Sequence, residues 1–361
     1  MFGGTVAQYI KTAPLLRLMD AMGVEYRLID SGQHAFASLA VRADLGLREP
    51  DRVLGEGVKD VDSVTAGLRW AGGLAATLVS GRRLRYEVFY DEPGICIVHG
   101  DTVSTLLAAL MAKRAGLRVA HLEAGLRSHN LLHPFPEELV RIIVMRLAHY
   151  LFAPGEASVA NLRRMRVKGR VVGLPTNTTL EALRHVLGGE LAQKEPGPVI
   201  VTMHRLENLR SGRRVRDLTT LVGHIVARWP TRFVVHPPTR PVLEKRGGAE
   251  SLAALGVELT GLQRHDEFGA MLRDAPLVVT DGGSIQEECA LLGVPTLLWR
   301  DRTEREDGLG RNVVLAHHDL TVADRFLVDP ERYRFPPVDV DVAPSRIVLE
   351  TLLAELPKTA D

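Results

Sequence analysis

Thr280-Asp281-Gly282-Gly283-Ser284-Ile285-Gln286-Glu287-Glu288 is the stretch on which the reading of this chain turns. It follows the apolar run Pro276-Leu277-Val278-Val279, which reads as a buried parallel strand, and precedes Cys289-Ala290-Leu291-Leu292, which continues as a helix. Two glycines at such a turn let the backbone approach a ligand closely, and the free N–H groups of the helix start favour an anion. Ser284 is placed to cap the helix. Glu288, about one turn in, is placed to accept hydrogen bonds from sugar hydroxyls. An ordinary helix start would also carry a cap and acidic residues. Strand, glycine turn and early helical carboxylate together point instead to a nucleotide-sugar diphosphate site.

Working outward, the same alternation recurs along the chain. Ile95–Val98 reads as a strand, Leu106 to Ala115 as a helix, and Arg118–Leu122 as the next strand. A helix from about Glu137 to Ala148 leads into the strand Tyr150–Ala153. Further strands are expected at Val199–Thr202, Phe233–Val235, Val257–Leu259, Leu277–Val279 and Thr296–Trp299, with helices over Val215 to Arg228 and Phe268 to Arg273. Strands alternating with helices predict an α/β protein with two Rossmann-like domains of parallel sheet. The joint is expected near Val167 to Pro175. That gives a first domain over 1–170, rejoined by a final helix within 345–361, and a second over 171–344.

Composition limits the function classes. The chain has 361 residues, 45% hydrophobic and 25% charged, enough for two globular domains, and its net charge of +1 gives no footprint for nucleic acid or an acidic membrane. Cys96 and Cys289 each lie in an apolar segment, so neither a disulfide framework nor a cysteine metal site is expected. No secretory signal and no apolar run of about 20 residues is read, so the expected location is cytoplasmic.

In open parallel sheets ligands sit beyond the carboxyl ends of the strands. The polar residues just after each apolar run are therefore the candidates. They are His99-Gly100-Asp101-Thr102, Glu123-Ala124-Gly125-Leu126-Arg127, Met203-His204-Arg205, His236, and the glycine turn itself. A carboxylate at a strand end is commonly only a helix cap, but here carboxylates, histidines and arginines gather on one side of both halves.

These residues resemble the UDP-N-acetylglucosamine 2-epimerases over about Gly4 to Arg346. The matching segments are Val98–Thr102, His121–Arg127, Pro134–Glu138, Thr202–Arg205, Thr280–Glu288 and Arg300–Arg305. The resemblance implies a GT-B-like fold, with a cleft between the two domains and the last helix crossing back to the first. It implies interconversion of UDP-N-acetylglucosamine and UDP-N-acetylmannosamine, by elimination of UDP to 2-acetamidoglucal and re-addition. Asp101, Glu123 and Glu137 are the implied acid–base groups, with His204 and Arg141 also in the catalytic set. Arg141, four residues after Glu137, shares its helix face and is placed to orient it. Lys11, His204 and Arg305 are implied near the phosphates, with Gly282, Gly283 and Ser284 as further donors, and Glu288 on the ribose. No metal or other cofactor is implied, and a homodimer is the expected assembly.

Departures from the family pattern shape the remaining expectations. The family carries a full apolar strand before the first glycine loop, whereas here the loop comes almost at once. The first domain is therefore expected either to lack most of a central strand or to begin upstream of Met1. Gly4-Thr5-Val6-Ala7-Gln8-Tyr9-Ile10-Lys11 replaces the family's G-T-R-P-E-A-I-K, so Val6 stands where a cation is usual. Phe36 and Leu206 replace polar residues of a regulatory UDP-sugar site, while Arg69 and His236 match it. That second site therefore reads as eroded. A hydrolysing 2-epimerase releasing N-acetylmannosamine and UDP, or a UDP-sugar-binding protein with impaired catalysis, are the alternative readings.

Overall fold

The computed structural model describes residues 1–33, 35–55, 64–131, 136–205, 211–236, 239–245 and 248–356. Pro134, Leu206 and the side chain of Phe36, all named above, lie outside the described residues. The chain divides into two compact units, Met1–Ala182 with Val340–Asp361, and Leu183–Asp339.

In the first unit β1 (Phe2–Gly3), β2 (Ile29–Asp30) and β3 (Arg52–Val53) form a short parallel sheet in the order β1-β2-β3. A second parallel sheet holds β4 (Ile95–His99), β5 (Arg118–Leu122), β6 (Tyr150–Pro154) and β7 (Arg170–Leu174) in sequence order. β1 runs beside β4, so successive strands step outward in both directions from that pair. The stretch expected to join the halves is in fact occupied by β7, which pairs with β6 from Tyr150↔Arg170 to Pro154↔Leu174. Helices Val103–Arg114 and Glu137–Leu147 cover this sheet, burying Leu107, Met111, Val140 and Val144. The last helix, Pro344–Glu355, packs on the helix Val6–Ala21 and buries Val348, Leu349 and Leu352.

The second unit has one six-stranded parallel sheet. Its strands are β8 (Val199–Met203), β9 (Thr231–Val235), β10 (Glu258–Thr260), β11 (Val278–Thr280), β12 (Thr296–Leu298) and β13 (Val313–Leu315), in the order β10-β9-β8-β11-β12-β13. Both faces are covered, which is why all of Val199–Met203 is buried and the strand reads as a continuous apolar run rather than an alternation. Strand order reverses between β8 and β11, and a parallel sheet opens its ligand crevice at such a switch point. The expected α/β class with parallel sheets in both halves is what is found. Among the described residues no helix is long and apolar enough to cross a membrane.

Candidate active site

The first unit gathers its polar groups beyond β1, β4, β5 and β7. After β1, Thr5 caps the helix Val6–Ala21 in a capping box with Gln8. Gln8 is buried, and its Nε2 donates to the His99 carbonyl at 2.9 Å and to Thr105 Oγ1 at 3.0 Å. One turn further along the same helix, Lys11 Nζ lies 2.6 Å from Glu123 Oε1, both side chains being about 5% exposed. Lys11, implied for the phosphates, thus has its ammonium on a carboxylate of this unit. Asn177 Nδ2, beyond β7, donates to the same Glu123 oxygen at 2.8 Å, and His99 Nδ1 lies 3.9 Å from Glu123 Oε2.

Glu123 itself holds φ 62°, a left-handed conformation that costs a non-glycine residue of the order of 1–3 kcal/mol. The strand end is held there from both sides. Gly125, at φ 99°, passes so close to Ser158 that a Cβ would meet its carbonyl oxygen at 2.4 Å. Such strain concentrates where geometry serves function.

Asp101 and Glu137 take different surroundings. Arg141 NH2 bonds Asp101 Oδ2, and its NH1 lies 3.4 Å from Glu138 Oε2. Glu138 is fully buried, and its oxygens also accept from Arg127 Nε at 2.5 Å and the Ser128 N–H at 2.9 Å. Burial works to raise the Glu138 carboxyl, but the Ser128 N–H and the Arg127 and Arg141 cations outweigh it and hold it below the usual carboxylate range. Arg141, expected to orient Glu137, also meets Asp101 and Glu138. Glu137 Oε2 is buried with no hydrogen-bond partner among the described residues. His121 Nε2 lies 2.8 Å from the Gly100 carbonyl, and burial holds its imidazole below the ordinary value.

The second unit builds its set at the β8/β11 switch point. Asp281, wholly buried after β11, accepts from the backbone N–H of His204 and of Arg205, each at 3.0 Å. This pins the two motifs T-M-H-R and T-D-G-G together. The His204 ring stacks at 4.9 Å on His236, whose Nε2 reaches Thr202 Oγ1 at 3.0 Å. Burial lowers His204, aided by the Arg205 and Arg300 charges and opposed by Asp281. Burial, with His204 beside it, pushes His236 down to about 4. The free protein therefore presents both rings neutral near pH 7.

The helix Gly283–Leu292 begins with Gly282 at the cap position and no side-chain cap. Ser284 does not cap it, as was expected, but sits exposed in the first turn. The first backbone N–H groups are left for another acceptor, which is what an anion requires. Arg305 packs beside this turn, its NH1 2.9 Å from Glu287 Oε2, while Gln286 Nε2 holds the Arg305 carbonyl at 3.1 Å. Glu288 is 7% exposed and lies 3.7 Å from His265 Nε2. No group of histidines, cysteines and carboxylates with metal-binding geometry occurs among the described residues.

Asn177 and Glu138 were not singled out from the sequence. Asn177 follows the strand-end rule applied elsewhere, but its strand, β7, falls where the sequence predicts a joint. Glu138 was masked by its neighbour Glu137, since two adjacent acids at a helix start look alike.

Comparison with known proteins identifies the family. A family model described as UDP-N-acetylglucosamine 2-epimerase matches residues 17–322. The UDP-N-acetylglucosamine 2-epimerase of Yersinia pestis is 31% identical over 338 residues, covering 86% of this chain and 84% of that one. The structure of the Neisseria meningitidis UDP-GlcNAc 2-epimerase bound to UDP-GlcNAc superposes with a TM-score of 0.80 at 25% identity, covering 98% of both chains. That of the Methanocaldococcus jannaschii enzyme with UDP-GlcNAc and UDP shares the fold at a TM-score of 0.79 and 24% identity, covering 97% of this chain and 98% of that one. With a family match over most of its length, this chain belongs to the UDP-N-acetylglucosamine 2-epimerase family.

Proposed function

We propose that this protein interconverts UDP-N-acetylglucosamine and UDP-N-acetylmannosamine without hydrolysis. The observation that carries the reading is the set of carboxylates at the strand ends of the first unit, each matched to a cation: Glu123 to Lys11 and Asp101 to Arg141. Inverting C2 requires a carboxylate that is ionised and able to take a weakly acidic proton, and a second group that returns a proton to the other face. In the first half-reaction a carboxylate removes the C2 proton, the C1–O bond breaks, and its electron pair leaves with UDP, giving 2-acetamidoglucal. Re-addition of UDP to C1, with protonation of C2 from the opposite face, completes the inversion. Asp101, Glu123 and Glu137 are the groups assigned to these proton transfers.

Departing UDP gathers negative charge on its diphosphate. The uncapped start of the helix Gly283–Leu292, with Gly282, Gly283, Ser284, Arg305 and His204, is assigned to that charge, and Glu288 to the ribose. His204, neutral in the free protein, takes up a proton as the diphosphate arrives. Lys11 serves the carboxylate Glu123 in this scheme rather than the phosphates.

Incubation with UDP-N-acetylglucosamine in deuterated buffer, followed by NMR, tests the reading. Deuterium at C2 in both UDP-sugars is the expected result. Free N-acetylmannosamine would identify the hydrolysing reaction instead, and tight UDP binding without C2 exchange would identify a binding protein. The family resemblance also makes a cytoplasmic homodimer the expected working form, checked by light scattering and by fractionation.

A further inference from the structure

We propose that Asn177 is a positioning residue that, together with Lys11, holds the Glu123 carboxylate ionised and fixed in one orientation. The inference rests on the reading above in taking Glu123 as a reacting group. Asn177 lies beyond β7 and is 4% exposed. Its Oδ1 accepts from the Thr178 N–H at 2.8 Å while its Nδ2 donates to Glu123 Oε1 at 2.8 Å. This settles the orientation of the amide, since the backbone N–H requires an acceptor and the carboxylate a donor. Thr178 in turn donates from Oγ1 to the Lys11 carbonyl at 2.5 Å, so one loop ties together both donors that meet on Oε1.

The chemistry follows from where the donors lie. Both a cation and a neutral amide converge on one oxygen of the carboxylate, and each favours the charged form. Oε2 is thereby turned toward His99 on β4. Lys11 alone would keep the charge, but its flexible stem allows the carboxylate to follow it. The short, doubly anchored amide removes that freedom, and a misplacement of about 1 Å at a reacting group costs about a hundredfold in rate. Among the described residues, the groups facing this carboxylate include Lys11 from the helix Val6–Ala21, His99 from β4, Asn177 from beyond β7, and His121 from β5, with Asp101 and Arg141 within electrostatic range of His121.

Two readouts on the full chain test this. The first compares kcat, KM and their pH dependence for the parent and Asn177→Ala. Expected is a kcat loss of about ten- to a hundredfold with KM within about threefold, and an acidic limb displaced upward by about one pH unit. The second titrates glutamate carboxyl groups labelled with carbon-13, the Glu123 signal being the one absent from Glu123→Gln. Its midpoint should rise by about one unit in Asn177→Ala, and further in Asn177→Asp, which keeps the shape and adds a like charge. Asn177→Asp serves as the test variant where Asn177→Ala does not fold. A lowered melting temperature with an unmoved pH profile and an unmoved Glu123 midpoint would reduce Asn177 to a structural residue and overturn the proposal. If the parent itself shows no turnover of UDP-sugar, the functional reading fails, while the carboxyl titration still decides the role of Asn177.

Discussion

Replacing Gly282 with alanine should injure nucleotide binding while leaving the fold nearly intact. Gly282 has φ −87° and ψ 127°, which any residue adopts, so its backbone does not demand glycine. Space does. A Cβ there would lie 2.7 Å from His204 Cε1, 3.2 Å from Ile285 Cδ1 and 3.3 Å from Thr280 Oγ1. The first distance cannot persist, and what yields is the His204 ring, because the His204 backbone is pinned by Asp281 and its side chain is 34% exposed. A ring displaced from the turn would lose the charged hydrogen bond to the diphosphate proposed for it, a loss of about 1.5–3 kcal/mol, or roughly ten- to 150-fold in the dissociation constant for UDP. Calorimetric titration with UDP measures this, and a thermal melt should move by only a few degrees. The route is checked by a double-mutant cycle, in which Gly282→Ala introduced into His204→Ala should have little further effect. An equal loss in both backgrounds would show that the methyl acts on the ligand directly, and that the ring is not what glycine protects.

Further outcomes follow from the same geometry. Asp101→Asn, Glu123→Gln and Glu137→Gln should each lower epimerisation by about two to four orders of magnitude while UDP binding survives; wild-type turnover in all three would remove the acid–base assignment. UDP binding should be accompanied by proton uptake near neutral pH, because burial depresses His204 in the free protein and a diphosphate restores its charge. Calorimetry in buffers of different ionisation enthalpy reads that uptake, and it should vanish in His204→Asn. Arg305→Ala should cost about 3–5 kcal/mol of stability as well as affinity, since it takes a cation from the buried Glu287; urea unfolding checks the first and UDP titration the second. Because His236 titrates at about 4 in the fold against an ordinary 6.5, the unfolded chain binds its proton first. Its contribution to stability is therefore complete above about pH 6.5 and is lost as the pH falls toward 4. Unfolding midpoints across that range should flatten in His236→Asn.

What was legible in the sequence was whatever burial imposes on a run of residues. β5 is legible with its boundaries and β8 to within one residue, because strands buried along most of their length are mainly apolar. β1, β2 and β3 have two residues each and carry no periodicity, so nothing marks them. β7 begins with an exposed Arg170 and contains Gly173, and at the edge of its sheet it lacks the apolar signature that would have distinguished it from a connection. The helix Val6–Ala21 contains Pro14 and buries Gln8, Lys11 and Thr12 along with its apolar residues, so its face does not read as a stripe. The site was legible as a set of strand-end residues but not as pairings. That Arg141 serves Asp101 and Glu138, or that Lys11 serves Glu123, depends on which loops fold toward one another across the sheet. The expectation of an eroded regulatory site rests on Phe36 and Leu206, whose side chains lie outside the described residues.

The helix Pro344–Glu355 has a consequence for the order in which the chain can be made. The second unit is one continuous stretch, Leu183–Asp339, whereas the first is split, and its last piece leaves the ribosome only after the whole of the second. Until then the helix Val6–Ala21 lacks the cover of the helix Pro344–Glu355, and the Arg170–Glu355 pair at 2.6 Å and the bond from the Ser345 N–H to Glu181 at 2.8 Å cannot form. During synthesis the later-made unit is thus free to fold first, and the earlier-made one must wait for the end of the chain. A fragment ending at Ala182 would leave that helix uncovered and aggregate, while a fragment spanning Leu183–Asp339 keeps every strand of its sheet.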